Sequence, residues 1–315
     1  MSDSPSERHC WCGHPDLGAY SDDYSVCRAC GTLVSRASVI PQTAQAADDA
    51  SQELYSKTYW NERQTKHHGL PDIVARARLD LPERCTYWLE TLLRYRPPPG
   101  RVLEVGCGNG GFVALLGWAG FKAVGTEMSP WVVNFARETF GIDVYAGPIE
   151  AQAFGPGSFD VIVLNDVIEH LADPAGTLKV CAELLSEGGF FLIQTPEYIE
   201  HLSYRDLVAA DDLFLRHMDG NNDEHLYLYS RRSAGRLFSA LGFPQLDFHA
   251  PLYGYDMYFT ASRRPLAVSD RELQAASLVK TPSSRLVLAL LDKAYESNDR
   301  AWAIKRLEAE LAAKR

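Results

Sequence analysis

The sequence predicts an α/β fold in which a mainly parallel sheet carries helices on both faces. Two observations support this prediction. Short apolar segments alternate with helical segments from residue 101 to residue 194, and strands that are separated by helices pair in parallel. A glycine-rich turn at residues 106–111 joins the first strand to the helix that follows it, an arrangement typical of doubly wound sheets. The expected strands are 101–106, 121–127, 142–145, 159–164 and 189–194, with closing strands near 246–249 and 255–260.

The chain divides into four predicted regions. Residues 1–40 form a small cysteine-rich module, and 41–97 form a linker and a helical region in which Pro82 breaks or begins a helix. The main domain is expected at 98–262, with an insertion or lid at about 197–225. Residues 263–315 form a C-terminal helical extension, for which packing on the same domain and a homo-oligomer contact both stay open.

Composition limits the possible functions. The chain has 315 residues and a formal net charge of −10, which argues against a nucleic-acid substrate because phosphate binding needs a basic surface. No apolar run is long enough to span a membrane, and the N-terminus has no signal-peptide core. We therefore expect a soluble, cytoplasmic protein with a small-molecule or glycan ligand.

Four of the seven cysteines lie in the first thirty residues. Cys10 and Cys12 form one pair, Cys27 and Cys30 form another, and a glycine follows each pair, as in the two knuckles of a zinc ribbon. We expect these thiolates to hold a structural Zn²⁺. The first pair has one intervening residue rather than two, so His9 or His14 as a replacement ligand and a degenerate site without metal both stay open.

The glycine turn itself predicts a ligand site. Glycine lets the backbone approach a ligand closely, and the helix that follows directs its free N–H groups to the same place. The spacing Gly106-x-Gly108-x-x-Gly111 also satisfies the fingerprint of NAD-binding proteins. Glu104 inside the strand favours another ligand, because a buried charge needs a polar partner such as an amino group. Glu127, at the end of the next strand, is placed to accept hydrogen bonds from ribose hydroxyls.

Three segments in this order resemble the successive motifs of class I S-adenosylmethionine-dependent methyltransferases: residues 104–110, Glu127 with the Met-Ser-Pro that follows, and residues 159–174. The resemblance implies a Rossmann-like sheet and S-adenosyl-L-methionine as cofactor, with a NAD-type oxidoreductase as the alternative. It implies these cofactor-binding residues: Glu104, Gly106, Cys107, Gly108, Asn109, Gly110, Glu127, Met128, Ile149, Glu150, Asn165 and Asp166. The sequence departs from the family at Pro148, where an acid often binds the adenine amino group.

The acceptor side is predicted from two Glu-His pairs. Methyl transfer needs a base for the acceptor proton, and histidine suits this task near neutral pH. Residues 223–230 resemble a segment of bacterial sugar methyltransferases that carry an N-terminal zinc module. The resemblance implies His225 as the base and Glu224 as its orienting partner. His170 is the rival base. We therefore expect O-methylation of a sugar, nucleotide-linked or in a polysaccharide or antibiotic. The alternatives are an aromatic or quinone-like acceptor and, more remotely, a scaffold without catalysis.

Overall fold

The structure is a computed structural model, and it describes residues 8–36, 71–218 and 225–313. Most of the predicted linker and Glu224 therefore lie outside the described residues. The strands are β1 (Leu17–Ala19), β2 (Tyr24–Cys27), β3 (Leu33–Ser35), β4 (Arg101–Val105), β5 (Lys122–Glu127), β6 (Val144–Ala146), β7 (Phe159–Asn165), β8 (Leu185–Pro196), β9 (Tyr227–Leu228), β10 (Gln245–His249) and β11 (Asp256–Ser262). The α-helices are α1 (Ile73–Leu79), α2 (Thr86–Tyr95), α3 (Gly111–Ala119), α4 (Pro130–Phe140), α5 (Pro174–Leu184), α6 (Tyr204–Ala210), α7 (Arg231–Ala240), α8 (Arg271–Ser277) and α9 (Pro282–Ala313).

The larger sheet has the spatial strand order β10-β11-β8-β7-β4-β5-β6. Its five strands from β4 to β8 are parallel, and β11 and β10 close the sheet as an antiparallel pair beside β8. The predicted doubly wound α/β fold with its closing hairpin is therefore confirmed. In this arrangement the carboxyl ends of β4, β5 and β7 lie at one edge, where open α/β sheets bind ligands.

The central strands are covered on both faces. Along β7, Ile162 and Leu164 belong to one hydrophobic cluster, while Val161 and Val163 belong to another. All four side chains are fully buried. Alternate residues of a strand point to opposite faces, so each face packs against its own layer of helices. Val287 and Leu291, from α9, belong to the same cluster as Val161, so the first part of the C-terminal helix packs on the main domain.

The helical region before β4 is interrupted, as Pro82 predicts. A π-helical turn, Leu81–Cys85, separates α1 from α2, with Pro82 in its first turn. The main-chain N–H that proline lacks is not needed at the start of a helix, which makes this position tolerant of proline. The π-helical turn places Arg84 beside the ligand edge of the sheet.

The cysteine module forms a second, smaller sheet that includes a distant strand. Its order is β1-β2-β3-β9, so Tyr227 and Leu228 pair with the module's last strand. The sequence did not predict β9, which lies just before α7 begins at Arg231. Within the described residues, no helix combines the length and the apolar character needed to cross a bilayer.

Candidate active site

The turn between β4 and α3 is held tightly on both sides. Gly106 has φ +69°, and a Cβ atom there would lie 2.7 Å from Val167 Cγ2. Gly110 has φ +80°, and a Cβ atom there would lie 2.6 Å from Ile142 Cδ1. Positive φ values and these contacts both require glycine. The glycines therefore let the turn pack closely against Val167 and Ile142 at the N-terminus of α3.

Glu127 connects the neighbouring strand to this turn. Its carboxylate accepts hydrogen bonds from the main-chain N–H of Gly108 at 3.1 Å and of Ser129 at 2.9 Å. The side chain is buried, and burial raises its pKa above the usual value although these N–H groups act in the opposite direction. A carboxylate can accept about four hydrogen bonds, so capacity is left for two ligand hydroxyls. Met128 is half-buried next to it.

Two buried polar side chains at the ends of adjacent strands have unsatisfied atoms. Among the described residues, Glu104 Oε2 and both polar side-chain atoms of Asn165 have no hydrogen-bond partner. Burial, and then the charge of Glu127, raise the pKa of Glu104 well above its usual value. Unsatisfied buried polar atoms are costly, and a polar ligand that fills the crevice would satisfy them.

Other predicted cofactor residues have partners within the protein. Asn109 Oδ1 accepts the Gly111 N–H at 2.8 Å, and its amide nitrogen donates to Asp80 at 3.2 Å, so this side chain fixes the turn from within. Ile149 is buried at the start of a 3₁₀ turn. Glu150 accepts a hydrogen bond from Thr177 of α5.

Cys107 is buried, and burial raises the pKa of its thiol well above the usual value. A thiol of this kind is not a nucleophile. It fills the space beside Gly125, where a Cβ atom would come within 2.5 Å of the sulfur.

Glu169 lies next to both predicted bases. Its side chain is 1% exposed, and its Oε2 accepts a hydrogen bond from Thr195 at 2.9 Å. Its Oε1 lies 4.0 Å from His170 Nε2. One ring nitrogen of His170, one of His225 and a Glu169 oxygen all lie within 4.8 Å of one another. Burial, and then the charge of Asp166, raise the pKa of Glu169 well above its usual value. The structure therefore brings the two rival bases together beside one buried carboxyl group.

The orientation of His225 is fixed by a main-chain carbonyl. Its Nδ1 lies 2.9 Å from the carbonyl oxygen of His217. A carbonyl oxygen only accepts hydrogen bonds, so Nδ1 carries the hydrogen, and in the neutral ring the lone pair is on Nε2. The predicted partner Glu224 lies outside the described residues.

A row of five aromatic rings leads to this position. Successive ring centroids are 5.5 Å apart from Tyr253 to Tyr255, 4.9 Å from Tyr255 to His217, 5.3 Å from His217 to His225 and 4.8 Å from His225 to His170. Such spacings are typical of contacting rings. We call this row the aromatic wall; the Tyr253 and Tyr255 rings are parallel within 4°, and each later ring is tilted by 37–46° to the one before it.

Sequence reasoning missed the charged network that faces this wall. Arg84 lies 3.6 Å from Asp166 and donates to the Tyr253 hydroxyl at 3.2 Å. Asp166, which has a positive φ of 55°, also accepts a hydrogen bond from Gln194 at 3.1 Å. Asp256 is buried nearby, and burial, followed by the charge of Asp166, raises its pKa to about 8. No local pattern marks Arg84 or Asp256, because their partners lie far away in the sequence.

The four N-terminal cysteines converge as predicted. The Sγ atoms of Cys10, Cys12, Cys27 and Cys30 all lie within 4.8 Å of one another. Gly13 and Gly31 follow the two pairs with φ values of +74° and +85°, so each turn needs the glycine that the sequence supplies. The spacing of the sulfurs fits one tetrahedral metal ion without a histidine ligand.

A family model described as a methyltransferase domain matches residues 77–246, more than half of the chain. The matched region contains the glycine turn, Glu127 and the β7 edge with its polar side chains. The chain belongs to this methyltransferase family. The chain has the Rossmann-like sheet expected of S-adenosylmethionine-dependent methyltransferases, and the NAD-type alternative is set aside.

Curated relatives of this methyltransferase include two named ubiquinone biosynthesis O-methyltransferases. The protein from Xanthomonas campestris pv. campestris is 32% identical over 104 residues, which are 31% of this chain and 44% of the relative. The protein from Parvibaculum lavamentivorans is 34% identical over 143 residues, 44% of this chain and 49% of the relative. The chain thus spans about half the length of these relatives. Their names refer to a quinone rather than to the sugar that the sequence predicted.

Among solved structures, the methyltransferase is similar to magnesium protoporphyrin IX methyltransferase from Synechocystis PCC 6803 with bound S-adenosylhomocysteine. The TM-score is 0.47 and the sequence identity is 13%, and the match covers 66% of this chain and 98% of that one. It is also similar to the CurJ carbon methyltransferase, with a TM-score of 0.45 and 18% identity over 62% of this chain and 59% of that one.

Proposed function

We propose that this methyltransferase methylates a hydroxyl group of a planar, quinol-like aromatic acceptor, with His225 as the base. The observation that carries the proposal is the row of five rings from Tyr253 to His170, which ends at an imidazole of fixed orientation. A flat aromatic molecule can stack on one ring of this wall and meet its tilted neighbour edge-on, and an in-line reaction requires its hydroxyl group to be held in one place. The names of the curated relatives favour the same class of acceptor.

The cofactor is proposed to lie at the carboxyl edge of β4, β5 and β7. Glu127 would accept hydrogen bonds from the ribose hydroxyls, since its Oε2 already bonds to the glycine turn at Gly108 and its Oε1 bonds to Ser129 just after β5. The unsatisfied atoms of Glu104 and Asn165 fit the polar groups of the cofactor's amino-acid end. The same assignment includes Gly106, Gly108 and Gly110 through their main chain. Met128 and Ile149 would supply apolar contact to the adenine.

Proton removal is proposed to occur at His225 Nε2. S-adenosylmethionine, when bound, supplies a methyl group that is already activated as a sulfonium. The acceptor oxygen forms the new C–O bond, the C–S bond breaks, and the hydroxyl proton passes to Nε2 and then to water. A positioned base of this kind is worth about 10²–10⁴ in rate. His170 remains the rival, since its ring contacts that of His225.

We further propose that Cys10, Cys12, Cys27 and Cys30 hold a structural Zn²⁺. Four protein ligands leave no open coordination position, so this ion would stabilise the fold and take no part in the reaction. The module's sheet is small, and metal binding would supply stability that its own apolar contacts do not.

Acceptor choice can be tested with radiolabelled S-adenosylmethionine and two matched panels. One contains substituted catechols and hydroquinones, and the other contains nucleotide-linked sugars. We expect label in the phenolic products, and less by a factor of 10²–10⁴ with the His225→Gln variant. Transfer to sugars without transfer to phenols would refute the aromatic acceptor and restore the sugar predicted from residues 223–230.

A further inference from the structure

The cysteine module is joined directly to the segment that carries His225. Strand β3 pairs with β9, with Leu33 opposite Leu228 and Val34 opposite Tyr227. The pairing extends towards His225, because the Ser35 N–H donates to the Leu226 carbonyl at 3.0 Å. The acceptor segment is therefore an edge strand of the module's sheet.

One side chain of the module reaches the hydrogen bonds that orient His225. The hydroxyl group of Tyr24, at the start of β2, lies 2.8 Å from the carbonyl oxygen of His225. It also lies 3.4 Å from the carbonyl oxygen of His217, the same oxygen that receives His225 Nδ1–H. Tyr24 is 3% exposed, so water does not compete freely for these contacts. A single hydroxyl group thus contacts the main-chain carbonyl oxygens of both His217 and His225, the two residues joined by the Nδ1–H hydrogen bond.

We propose that Tyr24 is a positioning residue through which the cysteine module holds the base His225 in its reactive orientation. The inference rests on the proposed role of His225. It makes the module part of the acceptor site, where the sequence had predicted a separate structural attachment.

The physical reason is that His217 and His225 belong to different segments. His217 lies in the 3₁₀ helix Leu213–Met218, and His225 lies two residues before β9. The Nδ1–H tautomer persists as long as the His217 carbonyl stays in line with the ring. The Tyr24 hydroxyl group donates its one hydrogen to the nearer carbonyl, that of His225 at 2.8 Å, and its oxygen packs against the His217 carbonyl at 3.4 Å. Without it the carbonyl loses a constraint, and the hydrogen on the ring redistributes between Nδ1 and Nε2. A ring with hydrogen on Nε2 presents no lone pair to the acceptor.

Other groups that face His225 define its surroundings. Glu169 and His170 contact it from the turn after β7, and His217 contacts it on the side of Tyr255. The contacts of Glu169 and His170 come from the turn after β7. The His217 contact involves the residue whose carbonyl the Tyr24 hydroxyl group touches, so we expect it to change when that hydroxyl group is removed.

Tyr24→Phe and Tyr20→Phe make a matched pair of variants. Tyr20 belongs to the same module, and its hydroxyl group donates to the Leu202 carbonyl at 3.1 Å. Both variants delete a part-buried hydrogen bond from a tyrosine hydroxyl group to a main-chain carbonyl and keep the ring. Of these two hydroxyl groups, the Tyr24 one is the one that the structure places against the carbonyls of His217 and His225. An effect of general destabilisation should appear in both variants.

The experiment measures the imidazole nitrogens by NMR in the full chain labelled with ¹⁵N-histidine, with the His225 signals assigned through His225→Gln. We expect the Nδ1–H tautomer in the wild type and in Tyr20→Phe, and a mixture of tautomers in Tyr24→Phe. S-adenosylhomocysteine affinity should be equal in all three. With the phenolic acceptor, kcat should fall about tenfold in Tyr24→Phe, a loss typical of a slightly misplaced base.

Equal His225 signals in Tyr24→Phe and the wild type would overturn the inference, as would an equal change in Tyr20→Phe. Failure of the proposed function looks different. In that case the wild type does not methylate the phenolic acceptor, while the tautomer of His225 still responds to Tyr24→Phe.

Discussion

Glu127→Gln is expected to weaken cofactor binding strongly. The carboxylate is 6% exposed, and each oxygen already accepts one main-chain N–H, from Gly108 at 3.1 Å and from Ser129 at 2.9 Å. Two acceptor positions remain for the two ribose hydroxyls. The glutamine amide keeps one accepting oxygen and turns an N–H₂ group towards a main-chain N–H or a ribose hydroxyl.

The expected loss follows from these contacts. A hydrogen bond to a charged group contributes about 1.5–3 kcal/mol, and the variant loses at least one of the two ribose contacts. We therefore expect about 10- to 150-fold weaker binding of S-adenosylhomocysteine, measured by isothermal titration calorimetry. Glu138→Gln is the matched control. Glu138 is exposed on α4, so this variant makes the same Glu-to-Gln change at the surface.

An unchanged dissociation constant in folded Glu127→Gln would refute the assignment of Glu127 to the ribose. A loss of affinity in Glu138→Gln of the same size would show that charge alone, rather than contact, governs binding. Thermal melting of both variants checks that the fold is intact.

Three further predictions concern metal content and pH. Protein purified without added zinc should contain about one Zn²⁺ per chain, measured by mass spectrometry of the metal. The double variant Cys27→Ser with Cys30→Ser should contain none. An equal zinc content in the variant and the wild type would contradict the site. Burial alone would raise the pKa of Asp160, but hydrogen bonds and charge from Arg101 and a neighbouring arginine lower it to about 2. Asp160 should therefore contribute about 1–2 kcal/mol to the free energy of unfolding above about pH 4, and this contribution should be lost between pH 4 and 2. Acid denaturation of Asp160→Asn should lack this loss. Asp256 has its pKa raised to about 8, so its contribution to stability is complete below about pH 4 and is lost as pH rises through 8. Melting temperatures from pH 5 to 9 should decline less steeply for Asp256→Asn, and an identical decline would contradict the raised pKa.

The main sheet could be predicted because its signals are local. Apolar strands such as β4 and β7, helix stops, and glycines with positive φ each lie within a few residues of the structure they determine. The resemblance to methyltransferases added the order of the motifs. The convergence of the four cysteines was also predictable, because two paired turns carry all four sulfur atoms.

The acceptor side could be predicted less well because its contacts are distant in the sequence. Arg84 meets Asp166 and Tyr253 only after the sheet has formed. Strand β9 is two residues long and acquires its structure by pairing with β3, almost two hundred residues earlier. A pattern of Tyr and Leu next to a helix does not by itself indicate such a strand, since β-propensity depends on the partner strand.

The most direct test of the account compares His225→Gln with His170→Gln in steady-state methyl transfer to a catechol acceptor. The two rings are 4.8 Å apart, so both variants alter the same part of the site. We predict that His225→Gln loses about 10²–10⁴ in kcat with S-adenosylhomocysteine affinity unchanged, and that His170→Gln loses much less. Near-normal turnover in His225→Gln, with the large loss in His170→Gln, would contradict the account and assign the proton to His170.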